Sequence, residues 1–184
     1  MTPIWYKRLA GLGLAFAVFV ADQWLKSLVL FHWKLRELGQ IEVIPNFNLT
    51  WTQNFGVSLG MFEAGSPEMR WVLVAVTALI SCVVFVWLLR ERLVPEILGL
   101  GLILGGALGN IRDRFSYGYV IDYADLHFGD FRPFLIFNLA DAAISIGVAI
   151  ILARALFMRE KPANPDGDEA PQAGERAETP SETN

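Results

Sequence analysis

The sequence contains one cysteine, Cys82, and few charged residues, which make up only 18% of its 184 positions. A single cysteine excludes an intrachain disulfide, and its place inside an apolar segment predicts a buried thiol that serves packing. The charged fraction is too low to solvate the surface of a soluble domain of this size. Hydrophobic residues instead reach 54%, and the mean hydropathy is +0.41. The composition therefore indicates a protein surrounded by lipid.

Histidine is also scarce, with only His32 and His127 in the chain. Neither belongs to an H-x-x-x-H pattern or has a cysteine partner, so the sequence predicts no metal site and no cofactor. The segment Gly56-Val-Ser-Leu-Gly60 does match the G-x-S-x-G pattern of serine hydrolases. That pattern requires a strand that runs directly into a helix, whereas residues 61–67 end in Gly-Ser-Pro and break a helix. A nucleophilic Ser58 is therefore disfavoured.

Four apolar segments approach the ~20 residues that a helix needs to cross a bilayer core of ~30 Å. They cover residues 9–31, 71–89, 93–111 and 134–157. The first resembles a secretory signal, but bulky Phe19 occupies a position where cleavage would require a small residue, so the segment is interpreted as retained. We expect an all-α membrane protein with one four-helix domain over residues 1–159 and outer loops over 32–70 and 112–133.

The first outer loop carries a strand pattern. Phe47-Asn-Leu-Thr-Trp-Thr52 alternates apolar and polar residues, which is the period of a strand with one covered face, and Ile41–Ile44 is a candidate partner. Four tryptophans cluster near the outer boundary, at Trp24, Trp33, Trp51 and Trp71. Because tryptophan is enriched at membrane interfaces, we expect a small extracytoplasmic β-sheet and loop region that rest on the membrane surface.

Basic residues flank the spans mainly on one side. They are Lys7, Arg8, Arg90, Arg92, Arg154, Arg159 and Lys161. The positive-inside rule makes this side cytoplasmic, although the outer loops also carry basic residues that acids partly offset. Both termini are then cytoplasmic. Residues 160–184 carry seven acidic and two basic residues and almost no apolar ones, which predicts a disordered acidic cytoplasmic tail.

Five polar residues interrupt the spans at one level. With this topology, Asp22, Lys26, Asn110, Asn138 and Asp141 all lie toward the outer face. Random polar positions would scatter over both leaflets, because the spans alternate in direction. An ionisable residue inside a membrane segment is a functional-site hypothesis by default. The convergence therefore predicts a single site near the outer membrane surface.

The spacing of these residues predicts shared helix faces. Asp22 and Lys26 stand at i and i+4, where an ion pair eases burial, although the pair also fits a purely structural brace. Asn138, Asp141 and Ser145 form one stripe, which fits either catalysis or a polar helix clamp. Span three carries a small-residue row at Gly101, Gly105 and Gly109 and a second row at Gly106, Asn110 and Arg114. Glycine every four residues lets neighbouring helices approach closely.

A second acid, Asp122, lies between spans three and four in Tyr119-Val-Ile-Asp-Tyr123. Its apolar neighbours indicate that the segment returns to the interface, which brings Asp122 to the level of Asp141. Two carboxylates in a semi-dry site do not both ionise easily, so they share a proton. One can then activate a water while the other protonates the departing group, as peptide hydrolysis without a metal or covalent intermediate requires.

Five motifs occur in order: Asp22-Gln-x-x-Lys26, Asn54-x-Gly56, Gly105 to Arg114, Val120-Ile-Asp-Tyr123 and Phe137-Asn-Leu-Ala-Asp141. Each is weak alone, but together, across residues 11–159, they resemble the bacterial lipoprotein signal peptidase family, also called signal peptidase II. The resemblance implies an intramembrane-type aspartic endopeptidase whose catalytic pair is Asp122 and Asp141. It also implies substrate-binding or supporting roles for Asp22, Lys26, Asn54, Gly56, Asn110, Arg114, Asn138 and Ala140. Tyr123 and Arg112 depart from the family's usual Phe and apolar residue.

The substrate that the resemblance implies is a prolipoprotein with diacylglyceryl-cysteine, cut just before that cysteine. Expected partners are these prolipoproteins and membrane lipid, without nucleic acid, and the expected form is a monomer in the bacterial inner membrane. Arg114 and Asn54 are expected to hold the substrate backbone or the lipidated cysteine. Asn110 and Asn138 are expected to orient the acids.

Two other classes of function also fit buried polar residues. A small proton-coupled transporter or channel subunit uses intramembrane Asp, Asn and Lys as a relay. However, the polar residues lie near one face and do not form a ladder across the membrane. A structural subunit that uses polar residues between helices fits the glycine row but leaves Asp122 unexplained.

Overall fold

The computed structural model describes residues 3–56 and 67–157, which form five α-helices and three β-strands. The helices are α1 (Ile4–Ser27, continued by a π-helical turn over Leu28–His32), α2 (Leu35–Leu38), α3 (Pro67–Arg90), α4 (Val94–Tyr117) and α5 (Leu139–Phe157). The strands are β1 (Gln40–Ile44), β2 (Phe47–Asn54) and β3 (Val120–Leu126). Ser58 and the acidic segment 160–184, for which the sequence made predictions, lie outside the described residues.

In the described part of the chain, four helical segments are long and apolar enough to cross a membrane. They are Ile4–His32, Pro67–Arg90, Val94–Tyr117 and Leu139–Phe157. A helix satisfies its backbone hydrogen bonds internally, which is the condition for crossing a hydrocarbon core. In the tight turn between α3 and α4, the Glu91 carboxylate accepts the backbone N–H groups of Arg92 at 2.7 Å and Leu93 at 3.1 Å. The four helices and the small sheet confirm the predicted fold class.

Helix α4 lies at the centre of the helix bundle and packs against α1, α3 and α5. Gly105 lies against the backbone of α1, where an added Cβ would collide with the carbonyl oxygen of Ala15. Gly106 lies against α5, where an added Cβ would collide with the carbonyl oxygen of Ala140. Small residues therefore let α4 approach both helices at backbone distance. This packing fixes α1 and α5 relative to each other.

The three strands form one antiparallel sheet in the order β1-β2-β3. The register of β2 and β3 pairs Thr52 with Asp122 and Asn54 with Val120. The sequence predicted the first two strands, but it described the third only as a segment that returns to the interface. Residues 120–125 are all buried, so β3 lacks the alternating pattern of a strand with one covered face. Its apolar side chains pack with the π-helical turn that follows α1.

Two further expectations differ from the structure. The fourth span was expected to begin at residue 134, whereas α5 begins at Leu139 because Phe137 pairs with Ala124 as a β-bridge and Asn138 caps the helix. The expectation of a buried Cys82 was wrong, because its side chain is exposed on a groove beside α1. A membrane helix presents apolar residues to lipid as well as to its neighbours, so an apolar segment does not by itself indicate burial.

Candidate active site

Asp122 and Asp141 reach the same asparagine from two different elements. Asp122 lies on β3 and is 1% exposed, whereas Asp141 lies in the first turn of α5 and is half-buried. Asn138 donates from Nδ2 to Oδ1 of Asp122 at 2.6 Å. Its Oδ1 accepts the backbone N–H of Asp141 at 2.9 Å, and its own N–H lies 3.4 Å from Oδ2 of Asp141. This reciprocal capping of α5 orients the Asp141 carboxylate, and the side-chain amide of Asn138 holds the Asp122 carboxyl group.

Asn110 supplies the second amide contact from the neighbouring helix α4. Its Nδ2 donates to Oδ1 of Asp141 at 2.8 Å. Its Oδ1 accepts from Nδ2 of Asn138 and from Nζ of Lys26, each at 3.4 Å. Asn110 therefore connects the carboxylate pair to the cation on α1. The structure thus brings together five residues that the sequence predicted for the site, namely Asp122, Asp141, Asn138, Asn110 and Lys26.

Lys26 is the centre of a buried ion triad. Its Nζ lies 2.9 Å from Oδ2 of Asp22 and 2.7 Å from Oδ2 of Asp113, and none of the three residues is more than 2% exposed. Buried charges require partners and hydrogen bonds to offset their lost hydration. Asp22 also accepts the backbone N–H of Ala140 at 3.1 Å, at the positive N-terminal end of α5. The triad therefore joins α1, α4 and α5 next to Asn110.

Asp113 is the member of this triad that the sequence patterns did not predict. Its Oδ2 accepts the backbone N–H of Ile121 at 3.2 Å, which ties α4 to the strand that carries Asp122. Its Oδ1 accepts from Nε2 of Gln23 at 3.1 Å. In the sequence Asp113 stands between Arg112 and Arg114 and looks like part of a solvated charged end. Its i, i+3 spacing from Asn110 was the available signal.

Asn54 and Gly56 form the turn at the end of β2 beside Asp122. Oδ1 of Asn54 accepts the backbone N–H of Gly56 at 2.9 Å, and the Asn54 side chain also hydrogen-bonds Asp122. Gly56 has a φ of +90°, and an added Cβ would overlap the side chain of Leu73 on α3. The turn therefore requires glycine for both backbone conformation and space.

Arg114 brings a guanidinium group to the same region from α4. Its charge interacts with the carboxylates of Asp141, Asp122 and Asp113. Its Nε is buried and has no hydrogen-bond partner among residues 3–56 and 67–157. A buried donor without a partner is uncommon and marks a position where a ligand can supply the acceptor.

Burial raises the pKa of Asp122 to about 6, and the nearby Asp141 carboxylate contributes to the rise. Hydrogen bonds from Asn54 and Asn138 oppose it, because they stabilise the ionised form. Burial also raises the pKa of Tyr123, whose side chain hydrogen-bonds the backbone of Leu139 at the start of α5. The site thus contains a carboxyl group whose pKa lies well above the usual range for an aspartate.

Two cavities adjoin the aspartates. A cavity of about 660 Å³ is lined by Asn54, Gly56, Asp122 and residues 132–136, and a smaller one of about 270 Å³ is lined by Asp141 and apolar residues of α5. Phe134 and Leu135 line both. Arg132 holds this shared wall to the sheet through Asp125, with Nε 2.9 Å from Oδ1. Within the described part of the chain, no group of three or more His, Cys, Asp or Glu is placed to hold a metal ion.

The site combines a carboxyl group of raised pKa with a second carboxyl group and a buried guanidinium, and it lies between apolar helices and a small sheet. These features are typical of a membrane-bound hydrolase that uses acid–base chemistry. A family model described as signal peptidase (SPase) II matches residues 14–157. The chain therefore belongs to the signal peptidase II family, and it is a protease.

Curated relatives agree with this assignment. The chain is 51% identical over 156 residues to a lipoprotein signal peptidase of Sphingopyxis alaskensis, covering 85% of this chain and 90% of the relative. It is 50% identical over 153 residues to one of Rhizorhabdus wittichii, covering 83% and 89%. A bacterial membrane enzyme solved by the in meso method is similar at a TM-score of 0.69 and 28% identity, over 80% of this chain and 93% of that one. These relatives give no support to a transporter or channel.

Proposed function

We propose that Asp122 and Asp141 are the catalytic pair of an aspartic endopeptidase that removes the signal peptide from diacylglyceryl-modified prolipoproteins. The cut falls just before the lipidated cysteine. Membership of the signal peptidase II family supports the reaction. The observation that carries the assignment of the pair is the position of Asn138, which hydrogen-bonds the Asp122 carboxyl group and the Asp141 backbone and lies beside the Asp141 carboxylate.

The two carboxyl groups take opposite roles in this mechanism. Asp122 holds the proton, since burial and the Asp141 carboxylate raise its pKa to about 6. Asp141 serves as the base, because Asn110 donates a hydrogen bond to it and it lies in the first turn of α5, where the helix dipole favours negative charge. Asp141 takes a proton from a water molecule while the water oxygen attacks the scissile carbonyl carbon. At the same time Asp122 protonates the carbonyl oxygen.

The tetrahedral intermediate then collapses. Its C–N bond breaks, Asp141 gives its proton to the departing nitrogen, and Asp122 regains a proton from a hydroxyl of the intermediate. One water is consumed, and both carboxyl groups return to their starting states. Asn110 and Asn138 keep the carboxyl groups oriented throughout, because their amide contacts do not depend on the substrate.

The supporting residues divide into two groups in this proposal. Arg114 and Asn54 hold the substrate backbone or the lipidated cysteine, since the buried Arg114 Nε has no acceptor among the described residues and Asn54 lines the larger cavity. Asp22 and Lys26, together with Asp113, brace the site. Gly56 and Ala140 provide close backbone contacts to α3 and Asp22.

We also propose a setting for the reaction. The apolar cavity beside Asp141 lies on α5, so acyl chains of a lipidated cysteine can remain in the bilayer while the peptide occupies the larger cavity. The basic flanks favour an orientation with both termini in the cytoplasm and the site toward the outer face. In this setting the protein is a monomer of the inner membrane, with residues 1–159 as the peptidase domain. Membrane lipid then contacts the helices throughout the reaction.

A cleavage assay with matched substrates tests this function. Purified full-length protein in detergent is incubated with one prolipoprotein in two forms, with and without diacylglycerol on its cysteine. We expect cleavage only of the modified form, with a product that begins at the modified cysteine by mass spectrometry. Equal cleavage of both forms would contradict the proposed substrate, and cleavage at another bond would contradict the proposed site of cutting.

A further inference from the structure

An apolar groove lies on the face of the bundle formed by α1, α3 and α4. It has a volume of about 650 Å³, and its lining includes Phe16, Phe19, Ala78, Phe85 and Leu108. Among the described residues that line it, the polar side chains are Ser81 and Cys82, and the hydroxyl group of Ser81 already donates to the backbone of its own helix. The size is within the ~300–1,000 Å³ range of small-molecule sites.

The groove is separate from the aspartates. Leu108 lines the groove and Asn110 contacts Asp141, and two residues along a helix correspond to a rotation of about 200°. The groove and the active site thus use opposite faces of α4. The two substrate cavities are lined by other elements, namely β2, β3, α5 and the segment before α5.

A positive charge stands at one end of this groove. Phe19 and Leu108 line it on α1 and α4, and one turn further along these helices stand Gln23 and Arg112. Arg112 donates from Nη1 to Oε1 of Gln23, so the two helices meet at this level. Arg112 is exposed, and a guanidinium has five N–H donors, so most of them stay available.

The same end carries aromatic residues and a second guanidinium. Phe115, one turn beyond the lining residue Ile111, packs against Trp71 with ring centroids 5.7 Å apart. Arg70 stacks over Trp71 at 5.0 Å and donates to the carbonyl oxygen of Phe115. Its Nε is buried and has no partner within the described residues. Tryptophan marks the headgroup level of a membrane, so both arginines lie where phosphate groups occur.

We propose that the groove binds one anionic glycerophospholipid, with an acyl chain against Phe16, Phe19 and Phe85 and its phosphate on Arg112. The apolar groove alone would accept any lipid tail. The charge at its end selects an anionic headgroup, because a guanidinium matches phosphate with two parallel hydrogen bonds. Basic pockets between membrane helices bind such headgroups. The lining of the groove includes neither of the two proposed catalytic aspartates.

Lipid retention in native mass spectrometry tests the proposal. The full chain in detergent is titrated with phosphatidylglycerol or with phosphatidylcholine of the same acyl chains. We expect one tightly retained phosphatidylglycerol, and Arg112→Gln should lower its retention about fivefold, in line with ~1 kcal/mol per surface arginine. The matched control Arg36→Gln removes an exposed arginine from α2 and should change nothing.

A second variant tests the apolar part of the site. Ala78→Leu fills the groove without touching Arg112, so it should lower the retention of both lipids, with circular dichroism as the check on folding. Soluble glycerol 3-phosphate, which lacks acyl chains, should not displace the lipid. Equal retention of the two lipids, an Arg112→Gln variant that matches Arg36→Gln, a folded Ala78→Leu variant that binds normally, or displacement by glycerol 3-phosphate would each overturn the proposal.

Discussion

Asn138 holds the two proposed catalytic acids in one hydrogen-bonded unit, and Asn54 adds a further hydrogen bond to Asp122. The Asn54 side chain stabilises the ionised form of Asp122, whose pKa is about 6 because of burial and the nearby Asp141. If Asp122 must carry a proton to act as the acid, activity is present below this pKa and is lost as pH rises through it. The alkaline limb of kcat/KM for the free enzyme should therefore lie near pH 6.

Removing the Asn54 amide should move this limb. Asn54→Ala removes a hydrogen bond to the carboxylate, so the pKa of Asp122 rises and the alkaline limb moves to higher pH, by roughly half a unit. The measurement is kcat/KM against pH with the lipidated substrate. Gln53→Ala removes an amide from the neighbouring position and should leave the limb in place. A limb that stays fixed or moves to lower pH in Asn54→Ala would show that Asp122 is not the titrating acid.

Residue patterns in the sequence identified most of the polar cluster. Asp22, Lys26 and Asp141 were visible because an ionisable residue is rare in an apolar segment. Asp113 was not visible, because its position between two arginines is typical of a solvated helix end. Its burial results from the way α4 continues to Tyr117 and meets β3, which depends on tertiary packing. The close approach of both acids to Asn138 likewise needed the structure.

At the scale of elements, the position of α4 decides whether the site residues meet. Gly105→Ala should force α1 away, since the new methyl group collides with the backbone of Ala15. Overpacking of this kind destabilises by about 1–3 kcal/mol. Gly13→Ala is the matched control, because an added Cβ on Gly13 meets nothing within 4 Å, and its effect should stay within about 1 kcal/mol.

Thermal unfolding in detergent, followed by tryptophan fluorescence, measures both glycine variants. Gly105→Ala should unfold several degrees lower than the wild type, since ~1 kcal/mol corresponds to about 2–4 °C in a protein of this size. It should also lose activity, because α1 carries two members of the ion triad. Equal unfolding temperatures for the two variants would contradict the close packing of α1 on α4.

The elements were only partly predictable from the sequence. Long apolar runs identified the four spans, and the alternation in residues 47–52 identified β2. The strand β3 has no such alternation because both of its faces are covered. The start of α5 was also missed, since Phe134 to Phe137 are apolar like the helix that follows, and only the capping geometry of Asn138 separates them.

At the scale of the whole molecule, the proposed orientation predicts which side of the membrane each turn faces. In a Cys82→Ala background, Glu42→Cys on β1 should react with a membrane-impermeant maleimide in intact spheroplasts. Arg92→Cys, in the turn between α3 and α4, should react only after permeabilisation. Both positions are exposed, so access to the reagent decides the result. Labelling of position 92 in intact spheroplasts would reverse the orientation.

The proposed mechanism depends on the aspartate pair, so the decisive measurement is cleavage of the substrate by variants that replace each carboxylate with an amide. Asp122→Asn and Asp141→Asn keep the side-chain shape but remove the acid and the base. Asp130→Asn, in an exposed loop, is the matched control. With diacylglyceryl-modified prolipoprotein, each of the two variants should lose about 1,000-fold or more in kcat/KM, and the control should stay near wild type. If either variant is folded in the membrane and keeps more than about a tenth of the wild-type rate, the aspartic mechanism is wrong.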